Sequence, residues 1–223
     1  MAHLVYPRLC MGCSKPLLDE EEILCLNCSV YNIPRTAYHH IADNETRMRF
    51  TGRVSVQKAT SFAYFANDGL LQHLLHELKY NDRKDIGIYL GKQLGHDLLQ
   101  TRWAEGIDTI VPVPLHPEKE RQRGYNQSTL IAEGMSKVLG IPLLAGALRR
   151  LRDTESQTQK SREERIENMK EAFEIVDAER MRGKHILLVD DVLTTGATLE
   201  SCALSLLKAE ETTISIATIG VVS

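Results

Sequence analysis

The stretch "HILLVDDVLTTGATL", residues 185–199, restricts the possible folds more than any other part of this 223-residue chain. Its apolar run reads as a buried strand over "KHILLVD", and a strand with no polar face belongs in a parallel sheet covered by helices on both sides. The run ends in Asp190 and Asp191, then passes at once to Thr194, Thr195, Gly196, Ala197 and Thr198, which open a helix predicted over 197–208. In open parallel sheets ligands bind beyond the carboxyl ends of the strands, so the acidic pair is delivered to a ligand edge. Backbone N–H groups, Thr hydroxyls and a Gly at a helix N-terminus hold a phosphate through donors and the positive end of the helix dipole. The two carboxylates beside them, as acceptors, suit the 2′ and 3′ hydroxyls of a ribose. Phosphate plus diol spells a ribose 5-phosphate. A Thr helix cap would explain one hydroxyl and leave both aspartates unexplained. A P-loop ATPase is the other reading of such a strand, but no G-x4-G-K-[ST] occurs, and "GIYLGK" has the wrong spacing.

The rest of the chain alternates in the same manner. "ATSFAYFA" reads as a short strand, and Leu70, Leu71, Leu74, Leu75 and Leu78 recur at helical spacing over 69–80. A second helix puts Leu90, Leu94, Leu98 and Leu99 on one face. "DTIVPVPL" is a buried strand whose ladder pairing should fade at Pro112 and Pro114, where a loop is expected to begin. A helix follows over 127–139 with Leu130, Ile131, Val138 and Leu139 inward, stopped by Gly140 and Pro142. "PLLAGAL" and "EAFEIV" read as strands, separated by the polar run "RRLRDTESQTQKSREERIENMK", and "ISIATIGVV" is a last buried strand. The expected class is α/β, a mostly parallel sheet flanked by helices.

A 43% apolar fraction, 26% charge and a formal net charge of -3 describe an ordinary globular chain with no global pull on polyanions, so any nucleic-acid contact is local. No run approaches the roughly 18 uncharged apolar residues needed to span a bilayer, and "MAHLVYPRLC" has no charged-then-apolar leader, which predicts a cytoplasmic protein without membrane insertion. Four of the five cysteines, Cys10, Cys13, Cys25 and Cys28, form C-x2-C-x11-C-x2-C. Paired knuckles at this spacing predict four thiolates on one tetrahedral Zn²⁺, in a module over 1–35 that precedes a larger domain over 36–223. Two disulfides are the rival reading, disfavoured in a reducing compartment. Cys202 lies far away in a helical pattern and reads as a buried apolar residue.

"ILLVDDVLTTGATL" closely resembles the phosphoribosyl pyrophosphate (PRPP) motif of type I phosphoribosyltransferases, and "VPVPLHPEKERQRGYNQS" resembles the ComF family within that fold. ComF-like proteins also join a four-Cys N-terminus to such a domain, so the resemblance spans nearly the whole chain. It implies that Asp190 and Asp191 hold the ribose hydroxyls, and that Thr194, Thr195, Gly196, Ala197 and Thr198 wrap the 5′-phosphate. It also makes "PEKERQRGYNQS" the pyrophosphate loop. There Lys119, Arg121 and Arg123 pair with the polyanion, Gly124 permits a tight backbone, and Tyr125, Asn126 and Gln127 add polar contacts. Two Glu among these cations make a generic basic patch a poor description, and a plain solvated loop is the rival reading for the individual charges. Lys79 and Tyr80 match the family's "KY", although a Lys at a helix C-terminus is favoured by the dipole alone. Gln157, Arg165 and Asn168 match a recurring family pattern in a loop that would close over PRPP, while an exposed charge-paired helix explains the same run.

The implied chemistry is displacement at the anomeric carbon, with Mg²⁺ bound through PRPP oxygens, Asp190, Asp191 and Arg123 in catalytic roles, and an unidentified acceptor. The family likeness links this activity to DNA uptake in natural competence. The alternative is a non-catalytic protein that senses PRPP or binds single-stranded DNA beside other competence proteins, with an adaptor built on the zinc module a third reading.

Overall fold

Residues 7–151 and 172–222 are described by the computed structural model. The strands are β1 (Ala59–Tyr64), β2 (Thr109–Pro112), β3 (Leu148–Arg150), β4 (Phe173–Ile175), β5 (His185–Leu193) and β6 (Thr213–Val221). The helices are α1 (Leu26–Tyr31), α2 (Glu45–Met48), α3 (Leu70–Tyr80), α4 (Lys84–Gln100), α5 (Pro117–Arg123), α6 (Gln127–Leu139) and α7 (Ala197–Leu206). The main sheet runs β1-β6-β5-β2 with every neighbouring pair parallel, as the apolar runs require. Pro112 lacks an N–H and sits on the edge strand β2, where that lack is tolerated.

Alternation along β5 and β6 divides the core. Leu187, Val189, Ala217 and Ile219 pack with buried side chains of α3, α4 and α6, whereas Ile186, Leu188, Ile214 and Ile216 pack with Leu199, Cys202 and Leu206 of α7. Leu74, Leu78, Leu90, Leu94 and Leu98 are fully buried, each contributing about 1.5–3 kcal/mol of transfer free energy. The helices α4 and α6 touch through glycine: a Cβ on Gly91 would lie 2.0 Å from the Ile131 carbonyl oxygen, and one on Gly134 would lie 2.2 Å from that of Ile88. The backbones themselves form this contact.

The cysteine segment does not stand apart from this core. Cys10, Ile23, Leu24, Cys28 and Ile33 belong to the same apolar cluster as Leu71, Leu74 and Leu90. The chain then runs beside β1, where Tyr64 N–H donates to the Pro34 carbonyl at 2.8 Å and Thr36 N–H to that of Phe62 at 3.2 Å.

Several expectations change. Leu99 is half exposed, because the inward row of α4 is Ile86, Leu90, Leu94 and Leu98. On α6 the fully buried apolar side chains are Ile131, Ala132 and Met135, with Leu130, Val138 and Leu139 only partly covered. "PLLAGAL" and "EAFEIV" yield the short strands β3 and β4, which pair antiparallel with each other rather than joining the main sheet. The strand β5 continues two residues past Asp191, since Val192 and Leu193 remain in register with Gly220 and Val221 of β6. The expected closing loop, with Gln157, Arg165 and Asn168, lies outside the described residues.

Candidate active site

Asp190 and Asp191 stand near the carboxyl end of β5. Period-two alternation sends Asp191 toward the face that carries α3 and α4, and Asp190 toward the face of α7, from where its carboxyl still reaches Ser128 in the first turn of α6. Side-by-side presentation of both carboxylates to one diol is therefore not what the strand itself supplies. Each aspartate is already engaged. Asp190 Oδ1 accepts from Ser128 Oγ at 2.8 Å and from the Asp191 N–H at 2.9 Å. Asp191 Oδ1 accepts from the Val192 N–H at 2.6 Å, and its Oδ2 lies 2.6 Å from Lys79 Nζ. That last contact pairs charges without a well-aligned hydrogen bond, since Asp191 Oδ2 has no partner of hydrogen-bonding geometry. Burial, then the neighbouring Asp191 charge, pushes the Asp190 carboxyl up to about 7. Ser128 and Lys79 work against that rise.

Lys79 leads from the aspartates to a cavity of about 450 Å³, lined by Lys79, Tyr80, Asp82, Lys119, Gln122, Arg123 and Tyr125. The expected pyrophosphate loop is in fact the helix α5. His116 caps it by accepting from the Glu118 N–H, Pro117 occupies its first turn, Glu118 and Glu120 sit at the positive end, and Gly124 closes it at φ 80°. A helical period puts Lys119, Gln122 and Arg123 on the cavity face and leaves Arg121 exposed, off the cavity lining. His116, held as a cap, is accounted for by structure.

The polar residues after α5 are largely spent on the fold. Tyr125 donates its hydroxyl to the Leu78 carbonyl, tying α3 to this segment. Asn126 caps α6 by accepting from the Ser128 N–H at 3.0 Å, and its Nδ2 donates to the Val113 carbonyl at 2.9 Å. Gln127 is buried and accepts from Arg123, whose guanidinium lies 5.7 Å over the Tyr80 ring. Tyr80 itself is exposed.

Thr194 and Thr195 are exposed, and Gly196 caps α7 at φ 80°. A side chain there would be strained by that φ and crowded by Phe50, whose Cε1 would lie 3.2 Å from the Cβ. Two residues that the sequence did not single out reach this turn from the α2 segment. Arg49 Nη1 donates to the Thr194 carbonyl at 3.0 Å, and Arg53 Nη1 to the Thr195 carbonyl at 2.8 Å. They lie more than 140 positions away in sequence, so no local pattern announces them.

At the other end of α3, the Sγ atoms of Cys10, Cys13, Cys25 and Cys28 all lie within 4.8 Å of one another and can hold a metal ion. Cys13 and Cys25 Sγ are 3.7 Å apart, near the separation of two ligands on one tetrahedral zinc and far beyond the roughly 2.05 Å of a disulfide. The N–H groups of Gly12 and Cys25 donate to Cys10 Sγ at 3.4 and 3.2 Å, as outer partners do around bound thiolates. A Cβ on Gly12 would meet Cys28 Sγ at 2.9 Å and Leu70 Cδ2 at 3.1 Å, so the knuckle is pressed against the start of α3.

Known proteins match this arrangement. The family described as phosphoribosyl transferase domain matches residues 126–221, from the cap of α6 to the end of β6, taking in both aspartates and the threonine turn. The DNA utilization protein YhgH of Salmonella typhi is 34% identical over 149 residues, covering 66% of this chain and 65% of that protein. The chain thus aligns with somewhat under two thirds of that relative's length. Competence protein ComFC of Bacillus subtilis is 37% identical over 99 residues, 44% of this chain and 38% of its own. Adenine phosphoribosyltransferase from Leishmania tarentolae superposes over 63% of this chain and 73% of its own at a TM-score of 0.39 and 13% identity. With its parallel sheet and its N-terminal cysteine cluster, the chain is similar to the ComF-type competence and DNA utilization proteins, and its residues 126–221 match the phosphoribosyl transferase domain.

Proposed function

We propose that this protein binds PRPP at the carboxyl edge of β5 and transfers its phosphoribosyl group to an acceptor, in the service of DNA uptake. The observation that carries the reading is the junction of three features. An acidic strand end meets a hydroxyl-bearing turn on the N-terminus of α7, and Lys79 links Asp191 to a cavity faced by Lys119 and Arg123. In this reading the turn of Thr194 to Thr198 takes the 5′-phosphate, and the carboxylates of Asp190 and Asp191 orient the ribose, Asp191 doing so while paired with Lys79. Lys79, Lys119 and Arg123 take the pyrophosphate, with Tyr80 at the rim. Arg121 drops to a peripheral role, and Tyr125, Asn126 and Gln127 act by positioning α5 and α6.

The bond from the anomeric carbon to pyrophosphate breaks as the acceptor attacks, and positive charge builds on the sugar. Carboxylates beside the ribose tolerate that charge, while the cavity cations stabilise the departing oxygens. Asp190 has one oxygen and Asp191 has both oxygens already engaged by protein groups, which would favour a divalent ion carried on the PRPP oxygens over one caged by side chains. Mg²⁺ bound there supplies further neutralisation of the leaving group. The cysteine cluster is read as a closed structural Zn²⁺ site in a module over 1–35, ahead of a phosphoribosyltransferase-like domain over 36–223. A cytoplasmic setting fits both features. No helix among the described residues is long and apolar enough to cross a membrane.

The test combines purified protein, PRPP and Mg²⁺, and follows binding and pyrophosphate release with and without nucleobases or single-stranded DNA. Release of pyrophosphate that depends on an acceptor supports the transferase. Binding without turnover assigns the site to a PRPP sensor or a DNA-handling protein. Unchanged PRPP affinity in Asp190→Asn with Asp191→Asn would remove the ribose assignment.

A further inference from the structure

The threonine turn is held from behind by a segment that no local motif marks. Peptide groups are planar and trans, so a carbonyl and the N–H that follows it point in opposite directions. Arg49 takes the Thr194 carbonyl at 3.0 Å and Arg53 takes the Thr195 carbonyl at 2.8 Å. The N–H groups of Thr195 and Gly196, on those same two peptides, are therefore turned away from the arginines. Two successive N–H groups facing one way, just ahead of a helix N-terminus, form the kind of concavity that receives a phosphate oxygen.

The two arginines are themselves fixed. Arg49 Nη2 pairs with Glu45 Oε1 at 2.8 Å and donates to the Val222 carbonyl at 2.6 Å, past the end of β6. Glu45 in turn accepts from Tyr38 Oη at 3.0 Å, and Tyr38 Oη lies 3.0 Å from Tyr64 Oη at the end of β1. Arg53 pairs with Glu200 in the first turn of α7 and also donates to the Arg49 carbonyl at 3.0 Å. Between them Phe50, buried, packs under Gly196. The two arginines thus tie the turn to the segment after α2, the end of β6 and the first turn of α7.

We propose that Arg49 and Arg53 are positioning residues that preset the 194–198 turn for a phosphate monoester. This rests on the phosphate assignment made under Proposed function. It predicts that the two halves of the site respond separately, because the pyrophosphate cations Lys79, Lys119 and Arg123 receive none of these contacts. Calorimetric titration of the full chain with ribose 5-phosphate and, separately, with inorganic pyrophosphate reads the two halves. Arg53→Gln and Arg49→Gln should each weaken ribose 5-phosphate by roughly tenfold or more and leave pyrophosphate within about twofold. Arg53→Lys keeps the charge but not the forked geometry, and should recover only part of the loss. Full recovery by Lys would make the effect one of charge alone and overturn the positioning role, as would equal losses for both probes. Should Arg49→Gln fail to fold, owing to its link to Val222, the Arg53 pair of variants carries the test. Wild-type protein that binds PRPP while the variants bind ribose 5-phosphate normally defeats this inference alone. Wild-type protein that binds neither PRPP nor ribose 5-phosphate defeats the functional reading and this inference with it.

Discussion

Asp190 carries a pH signature. Its carboxyl is raised from 3.8 to about 7, first by burial and then by Asp191, so the folded protein keeps a proton that the unfolded chain gives up over that interval. Native binding of extra protons means that this residue's contribution to stability declines as pH climbs from about 4 to about 7. Urea midpoints should accordingly fall between pH 5 and pH 8, and Asp190→Asn should flatten the fall; an equally steep fall in the variant contradicts the assignment. Lys79 is the complementary case. Replacing it by Met leaves Asp191 buried without its cation, at a cost of about 2 kcal/mol after allowing for the partial exposure of Lys79. Chemical denaturation of Lys79→Met measures it, and a change below about 0.5 kcal/mol would mean that the pair is solvated. Both aspartates were legible from their place at the end of an apolar run. Their partners Ser128 and Lys79 were not readable as partners, because spatial neighbours so distant in sequence leave no spacing to count.

At the level of elements, α5 shows how a chemical reading can hide a structural one. "HPEKERQRG" carries a cap, an N1 proline, acids in the first turn, bases in the last and a closing glycine, yet its density of charge also reads as a polyanion-binding loop. The helix sorts the cations. Lys119→Ala and Arg123→Ala should each weaken pyrophosphate by roughly tenfold, while Arg121→Ala changes it by less than about twofold, all by titration. Equal losses at the three positions would restore the loop description. The contact of α4 with α6 was not legible in the sequence, since nothing in the spacing of Gly91 and Gly134 marks them as the surface where two backbones meet. Gly134→Ala forces these helices apart and should cost about 1–3 kcal/mol or more in thermal or urea unfolding. A neutral result would show that the helices separate freely.

For the molecule as a whole, the parallel sheet and its flanking helices followed from the alternation of apolar periods, and the four-Cys spacing foretold the cluster at the N-terminus. What spacing did not convey is that the cluster shares the apolar core under α3 and α4, because that depends on Ile23, Leu24 and Ile33, ordinary residues in sequence. Metal analysis should find about one zinc per chain, and Cys25→Ser should release it and lower the main unfolding transition, not a separate minor one. An unchanged main transition would make the module an independent unit. The helix α3 begins against the cysteine knuckle at Leu70 and ends with Lys79 on Asp191, a rod of 11 residues, about 16 Å long. On the zinc reading proposed above, purification enters every affinity measured on this protein: a batch stripped by chelators during isolation would sample a slackened lever, and its titrations would describe that lesion as much as the ligand.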